Sequence, residues 1–191
     1  TTGVEPGSSV GVFGLGAVGL AVIQAAKAAG AASIVAIDTN DAKEEAAKAL
    51  GATEFVNPST LGDKPIQQEL VDRTKWGLDY TFDCTGNTSV MRAALEAAHR
   101  GWGVSCVIGV AAAGQEISTR PFQLVTGRKW VGTAFGGYKS RTEVPMLVDE
   151  HMSGSLPLKQ YITHRYQGVH AISEAIDAMH SGEVLRAVVS Y

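Results

Sequence analysis

At 191 residues the chain is long enough to bury one sizeable core, and a chain of this size normally makes one domain with at most a small appendage. A formal net charge of −3, from 16 Lys and Arg against 19 Asp and Glu, supplies no basic field, so neither nucleic acid nor an anionic membrane is an expected partner. No apolar run reaches the ~18 residues of a membrane span, and residues 1–9 lack the pattern of a signal peptide, so a soluble, cytoplasmic protein is expected.

The first predicted element is a strand, Val10-Gly11-Val12-Phe13, which runs directly into Gly14-Leu15-Gly16-Ala17-Val18-Gly19. A strand followed by G-x-G-x-x-G is built to hold a pyrophosphate. Gly14 makes the tight turn, Gly16 lets backbone approach phosphate oxygens, and Gly19 lets the next helix pack on the strand. The free amides of Ala17, Val18 and Gly19 at the helix start face the anion. Helix formers fill 20–29, and Gly30 stands at the stop. A second strand, 33–38, is the nearly continuous apolar run of a parallel strand buried on both faces. Asp38 ends it, about 20 residues beyond the glycines. A carboxylate there accepts hydrogen bonds from both hydroxyls of an adenosine ribose and repels the extra phosphate of NADP, so NAD is the expected cofactor. In the alternative reading, Asp38 or Asp41 merely caps the helix that follows. Lys43 stands between a solvated helix residue and an adenosine neighbour.

The alternation continues with a helix over 42–50, Gly51 as its stop, and a short strand over 54–56 closed by Asn57-Pro58. A helix over 65–74, a strand over 78–84, a turn at Thr85-Gly86-Asn87 and an Ala-rich helix over 88–99 come next. Further strands fall at 103–109 and 129–134. Five or six strands separated by helices predict an α/β fold, a doubly wound parallel sheet of the Rossmann NAD-binding type. Ligands of such sheets lie outside the carboxyl ends of the strands, so Asp38, the Cys84-Thr85-Gly86 corner and the Ile108-Gly109-Val110 corner are expected to converge on one crevice. Each of Thr85, Gly86 and Gly109 taken singly is also ordinary turn chemistry. Beyond Phe135 the pattern changes. Gly136-Gly137 breaks it, and helices over 141–152 and 169–180, a loop over 154–157 and a last strand over 184–191 follow. Both helices are amphipathic, through Val144, Leu147 and Val148 on one and Ile172, Ile176 and Met179 on the other, and each is expected to bury a face.

Cys84 and Cys106 each sit in an apolar strand-like run at a separation that matches neither a zinc knuckle nor a disulfide scaffold, and they read as two buried thiols. The five histidines are dispersed: His99, His151 and His180 at helix ends, His164 and His170 in a polar connection. No metal site and no catalytic group are expected from spacing.

Three runs together are specific enough to carry a family resemblance: Gly14-Leu15-Gly16-Ala17-Val18-Gly19-Leu20-Ala21, Arg120-Pro121-Phe122-Gln123-Leu124-Val125-Thr126-Gly127-Arg128, and Gly132-Thr133-Ala134-Phe135-Gly136-Gly137. The chain resembles the zinc-dependent medium-chain alcohol dehydrogenases, class III in particular. That class is the glutathione-dependent formaldehyde, or S-(hydroxymethyl)glutathione, dehydrogenases. The likeness runs on through Met179-His180-Ser181-Gly182 and Leu185-Arg186. It implies Gly14, Gly16 and Gly19 at the pyrophosphate, Asp38 at the adenosine ribose, Lys43 on the adenosine side, and Arg186 paired with a cofactor phosphate. It further implies Thr85, Ile108, Val110 and Phe135 along the nicotinamide half, and a homodimer joined near 130–134.

The resembled chains are about twice as long, with the zinc ligands, proton relay and glutathione site in an N-terminal region that this sequence does not contain. The expected organisation is therefore an NAD-binding domain over 1–133 and a C-terminal return segment of the catalytic domain over 134–191. Zinc and the alcohol or S-(hydroxymethyl)glutathione substrate belong to the complete enzyme, and this chain alone is expected to be inactive. A different class of function, a stand-alone NAD(H)-binding or sensing module, is the alternative.

Overall fold

The computed structural model describes residues 1–182 and 184–191, which divide into two compact units, Thr1–Thr133 and Ala134–Tyr191. In the first unit six strands form one sheet in the order β3-β2-β1-β4-β5-β6, every pairing parallel. The strands are β1 (Ser9–Phe13), β2 (Ser33–Ile37), β3 (Glu54–Val56), β4 (Tyr80–Asp83), β5 (Val104–Val107) and β6 (Lys129–Gly132). Val10, Val12, Ile34 and Ala36 are buried along with Phe13, Val35 and Ile37, so both faces of β1 and β2 are covered. That is why these strands read as continuous rather than alternating apolar runs. The strand order reverses between β1 and β4, which places a crevice at their carboxyl ends.

Helix α1 (Ala17–Ala28) buries Gly19, Leu20, Ile23 and Ala26, one stripe at helical spacing. A turn of 3₁₀ helix at Asp41–Lys43 precedes α2 (Glu44–Leu50), and its cap is Asn40, whose Oδ1 accepts the Ala42 amide at 3.0 Å. Neither Asp38 nor Asp41 is that cap. On the opposite face α3 (Ile66–Arg73) and α4 (Thr88–Ala97) cover a cluster built from Phe13, Ile37, Val56, Leu70, Leu78 and Ala94. Strand β4 is shorter than predicted because Leu78 makes only a single bridge, to Ala98. Strand β5 stops at Val107 because the Ile108 and Gly109 amides turn onto the carbonyl of Asp83, at 2.9 and 3.0 Å. The Arg120–Arg128 run holds a short helix, α5 (Pro121–Val125), that periodicity did not reveal, since five residues are too few to show a period.

The second unit contains α6 (Ser140–Ser153), β7 (His164–Gln167), α7 (Ile172–His180) and β8 (Ala187–Ser190), with β7 and β8 paired in parallel. His164 therefore belongs to a strand and not to a polar connection. The polar run His-Arg-Tyr-Gln becomes a strand through its pairing with β8, a partner distant in sequence. Helix α6 buries none of its side chains, and Val144, Met146, Val148 and Met152 are exposed; α7 buries Ala175 while Ile172, Ile176 and Met179 are exposed. The faces expected to be covered are thus open.

At the amino ends of the strands Asp79 ties three elements together. Its Oδ2 accepts the Ser9 amide and hydroxyl, both at 2.8 Å, and its Oδ1 accepts the Trp102 indole N–H at 2.9 Å. Burial pushes the Asp79 carboxyl up, but the donors at Trp102 and Ser9 and the nearby His99 outweigh it and hold the group below its ordinary value. A depressed folded-state pKa stabilises the fold above the unfolded value of about 4, and that contribution is lost as pH falls through the folded value. In urea titrations, the stability advantage of wild type over Asp79→Asn is expected near neutral pH and to shrink below about pH 4. Leu70→Ala, which empties a fully buried site, is expected to lower the unfolding free energy of the first unit by about 2–5 kcal/mol in the same assay.

Candidate functional site

The turn between β1 and α1 is fixed by what its glycines touch. Gly14 has φ +89°, and a Cβ there would lie 2.7 Å from the Thr85 methyl. A Cβ on Gly19 would lie 1.8 Å from the Gly14 carbonyl oxygen, so only hydrogen fits, and α1 comes down onto the end of β1. Gly16 is the opposite case. A Cβ there meets nothing within 4 Å, so its α-carbon faces open space. Gly16 also caps α1 without a side-chain partner, and Leu20 is the first residue whose amide bonds inside the helix, to the Gly16 carbonyl at 3.0 Å. The amides of Ala17, Val18 and Gly19 precede it, a concentration of donors and positive helix dipole suited to an anion.

Asp38, just past β2, closes the turn from the side. Its Oδ2 accepts the Leu15 amide at 2.7 Å and the Lys43 ammonium at 3.2 Å, and its Oδ1 accepts the Asn40 amide at 2.9 Å. The side chain is only 9% exposed. A carboxylate offers about four acceptor positions, so the three bonds leave one on Oδ1. The sequence reading gave Asp38 two free acceptors; the fold commits most of the group to the glycine turn itself. Lys43 is thereby placed at the crevice as the partner of Asp38.

Between these groups lies a cavity of about 220 Å³ lined by Phe13, Gly14, Ile37, Asp38, Thr39, Pro58, Ile66, Thr85 and Val90. It is smaller than the ~300–1,000 Å³ of a complete cofactor or drug-sized site, and so fits one end of an extended ligand. A second cavity, about 240 Å³, opens at the amino ends of the strands around Asp79 and Trp102 and contains none of the anticipated residues. On the other side of β1, the loops after β4 and β5 pack backbone to backbone. A Cβ on Gly86 would lie 2.4 Å from the Val110 carbonyl oxygen, and one on Gly109 2.1 Å from the Gly86 nitrogen. Thr85, Ile108, Gly109 and Val110 are thus brought together, with Val110 91% exposed. Phe135 and Arg186 belong to the second unit. Phe135 opens a 3₁₀ turn at φ +51° with its ring exposed, and Arg186 precedes β8, its guanidinium donating to the Leu185 carbonyl at 3.2 Å.

Several residues at the crevice escaped sequence reasoning. Pro58, Ile66 and Val90 are apolar wall residues with no chemical signature, and Asn40 and the Leu15 amide act through the backbone turn. Asp83, whose carboxylate is wholly buried beneath the β4 loop, was read as part of a strand; the Asp-x-Thr-Gly spacing at a strand end was the available signal. Cys106 is buried and Cys84 is half-buried as a residue. Burial, then the charges of Asp83 and Cys106, push the Cys84 thiol up to about 12. Among the described residues no group of three or more His, Cys, Asp or Glu is placed to hold a metal ion.

The two glycines separate folding from access. Gly19→Ala is expected to lose at least about 2 kcal/mol of stability, and Gly16→Ala less than about 1 kcal/mol, both read from urea denaturation.

The family model described as zinc-binding dehydrogenase matches residues 17–151. The S-(hydroxymethyl)glutathione dehydrogenase of Photobacterium damsela subsp. piscicida is 58% identical to the chain over all 191 residues, and that of Synechocystis sp. is 56% identical. The chain spans 51% of each of these relatives. Among solved structures, benzyl alcohol dehydrogenase from Acinetobacter calcoaceticus superposes with a TM-score of 0.87 at 27% identity, covering 97% of this chain and 50% of that one. An alcohol dehydrogenase zinc-binding domain protein from Burkholderia ambifaria superposes with a TM-score of 0.86 at 28% identity, covering 97% and 49%. Matched from the glycine turn into α6, the chain belongs to the zinc-binding dehydrogenases, and its six-stranded unit has the architecture of their NAD(P)-binding domain.

Proposed function

We propose that this chain is the NAD(H)-binding part of an S-(hydroxymethyl)glutathione dehydrogenase, with residues 134–191 the return segment of its catalytic domain. The observation that carries the proposal is the glycine turn, in which Gly19 admits only hydrogen while Gly16 faces open space at the start of α1, beside the Leu15 amide that Asp38 holds. The pyrophosphate of NAD lies on the Gly16, Ala17 and Val18 backbone. The adenosine ribose takes the remaining acceptor of Asp38 and displaces or joins Lys43, and the adenine enters the apolar cavity of about 220 Å³. The nicotinamide half runs the other way, along Thr85, Ile108, Gly109 and Val110. Bound NAD+ supplies a hydride acceptor for the oxidation of an alcohol or of S-(hydroxymethyl)glutathione.

The described residues do not fit a zinc ion. Among these residues no group of three or more His, Cys, Asp or Glu is assembled to hold a metal. Zinc, substrate and turnover belong in the proposal to the complete enzyme, which works in the cytoplasm as a homodimer. Support for the dimer is that, among the described residues, β6 is an outer strand of the sheet, which leaves its edge available to a second copy. Among the described residues no helix is long and apolar enough to cross a membrane. The activity named for the relatives at 58% and 56% identity favours this proposal over a stand-alone sensing module.

Calorimetric titration with NADH and NADPH tests the cofactor half of the proposal. Wild type is expected to prefer NADH. Asp38→Ala, which frees Lys43 and unties Leu15, is expected to weaken NADH by about tenfold or more and to narrow the preference, since one charge-assisted contact is worth about that factor. Wild type that ignores NADH sinks the proposal. For the enzyme half, the chain is joined to the portion of the Photobacterium relative that it does not match. NAD+-dependent oxidation of formaldehyde with glutathione is expected, and a folded chimera that binds NADH without turnover favours the sensing module.

A further inference from the structure

We propose that Asp83 is the positioning residue for the nicotinamide half of the crevice, holding the β4 and β5 loops in the spacing that this half of the cofactor requires. The inference rests on the NAD-binding proposal above and adds to it a residue that touches no ligand.

The side chain of Asp83 is completely buried at the end of β4, and both its oxygens act as acceptors. Oδ1 takes the Thr85 hydroxyl at 2.6 Å and the Thr85 amide at 3.2 Å, and Oδ2 takes the Gly86 amide at 3.3 Å. The carbonyl of the same residue takes the Ile108 and Gly109 amides, at 2.9 and 3.0 Å. One residue therefore ties the first turn of the β4 loop through its side chain and the first turn of the β5 loop through its main chain. The Thr85 hydroxyl passes the constraint on by accepting the Asn87 amide at 3.0 Å.

Three consequences show how tightly this hub sets the loops. A Cβ on Gly109 would lie 2.7 Å from Asp83 Oδ2, so the β5 loop is drawn in until only glycine fits. The Thr85 methyl is pressed toward Gly14, 2.7 Å from where a Cβ would sit, which links the hub to the pyrophosphate turn. Burying a carboxylate is unfavourable unless its acceptors are filled, and here the donors are Thr85 and Gly86 of the β4 loop, so the β4 loop is held in the arrangement that fills them, with the β5 loop packed against it. Asp38 stands on the β2 side of β1 and Asp83 on the β4 side, so the two carboxylates govern opposite halves of one extended ligand.

The opposite placement supplies the test. ADP carries the adenosine and both phosphates but neither the second ribose nor the nicotinamide, so it reports the Asp38 half alone. Asp83→Asn keeps the shape but turns one acceptor into a donor that faces an N–H or O–H. By calorimetry, this variant is expected to weaken NADH about tenfold while changing ADP less than about twofold. Thr85→Val keeps the side-chain shape at the apolar cavity and removes only the hydroxyl that Asp83 accepts, so it is expected to weaken NADH in the same selective way, whereas Thr85→Ser, which keeps the hydroxyl, is expected to bind NADH as wild type does. Equal loss of both ligands, or no change in either, overturns the positioning role, as does Thr85→Val behaving like Thr85→Ser. Should Asp83→Asn fail to fold, the Thr85 pair decides by the same comparison. Wild type that binds neither ligand overturns the NAD-binding proposal and this inference with it. Where wild type binds both, failure of the variants to discriminate overturns the role of Asp83 alone.

Discussion

The crevice depends on one contact of closest approach, the Gly19 α-carbon against the Gly14 carbonyl oxygen, where a methyl group would stand 1.8 Å from the oxygen. Because nothing larger than hydrogen fits, α1 starts at the very end of β1, and its first amides, which have no acceptor within the helix, lie at the sheet's carboxyl edge. The neighbouring Gly16 faces open space, and the apolar cavity begins at Gly14. Strand order does the rest, since the reversal between β1 and β4 leaves room for a ligand at that edge.

Carboxylates then lock the ends of the strands. Asp79 joins β1 to the segments before β4 and β5 at the amino edge, Asp38 joins the end of β2 to the glycine turn, and Asp83 ties down the first turn of the β4 loop. Each accepts main-chain amides, which fixes backbone rather than side chains, and each is fed by donors that would otherwise be left unpaired near the protein interior. The surface ion pairs around Lys64, Glu69, Arg73 and Asp72 on α3 have a different character. They raise or lower one another's titration, yet they sit in solvent, where such pairs contribute little to stability.

The first unit was legible in the sequence because its strands carry short apolar runs, its helices carry stop glycines, and each motif is local. The glycine fingerprint, Asp38 and the alternation of elements all lie within reach of such signals. Element ends were less legible. Strands β4 and β5 end where side-chain and carbonyl acceptors capture the next amides, and α5 is too short to show a period. The second unit was harder still, because His164–Gln167 has no strand composition of its own and becomes one by pairing with Ala187–Ser190.

The sequence by itself determined the α/β alternation, the position of the pyrophosphate turn and the presence of an acid at the end of β2, because each is written in neighbouring residues. Only the tertiary structure decided that Asp38 spends three of its acceptor positions on protein, that Pro58, Ile66 and Val90 close the apolar cavity, and that Asp83 holds two loops at once. The physical reason is range. Helix stops, turns and strand runs are set by steric preferences over a few residues, whereas hydrogen-bond partners and cavity walls come from groups far apart in the chain that meet only when the sheet assembles.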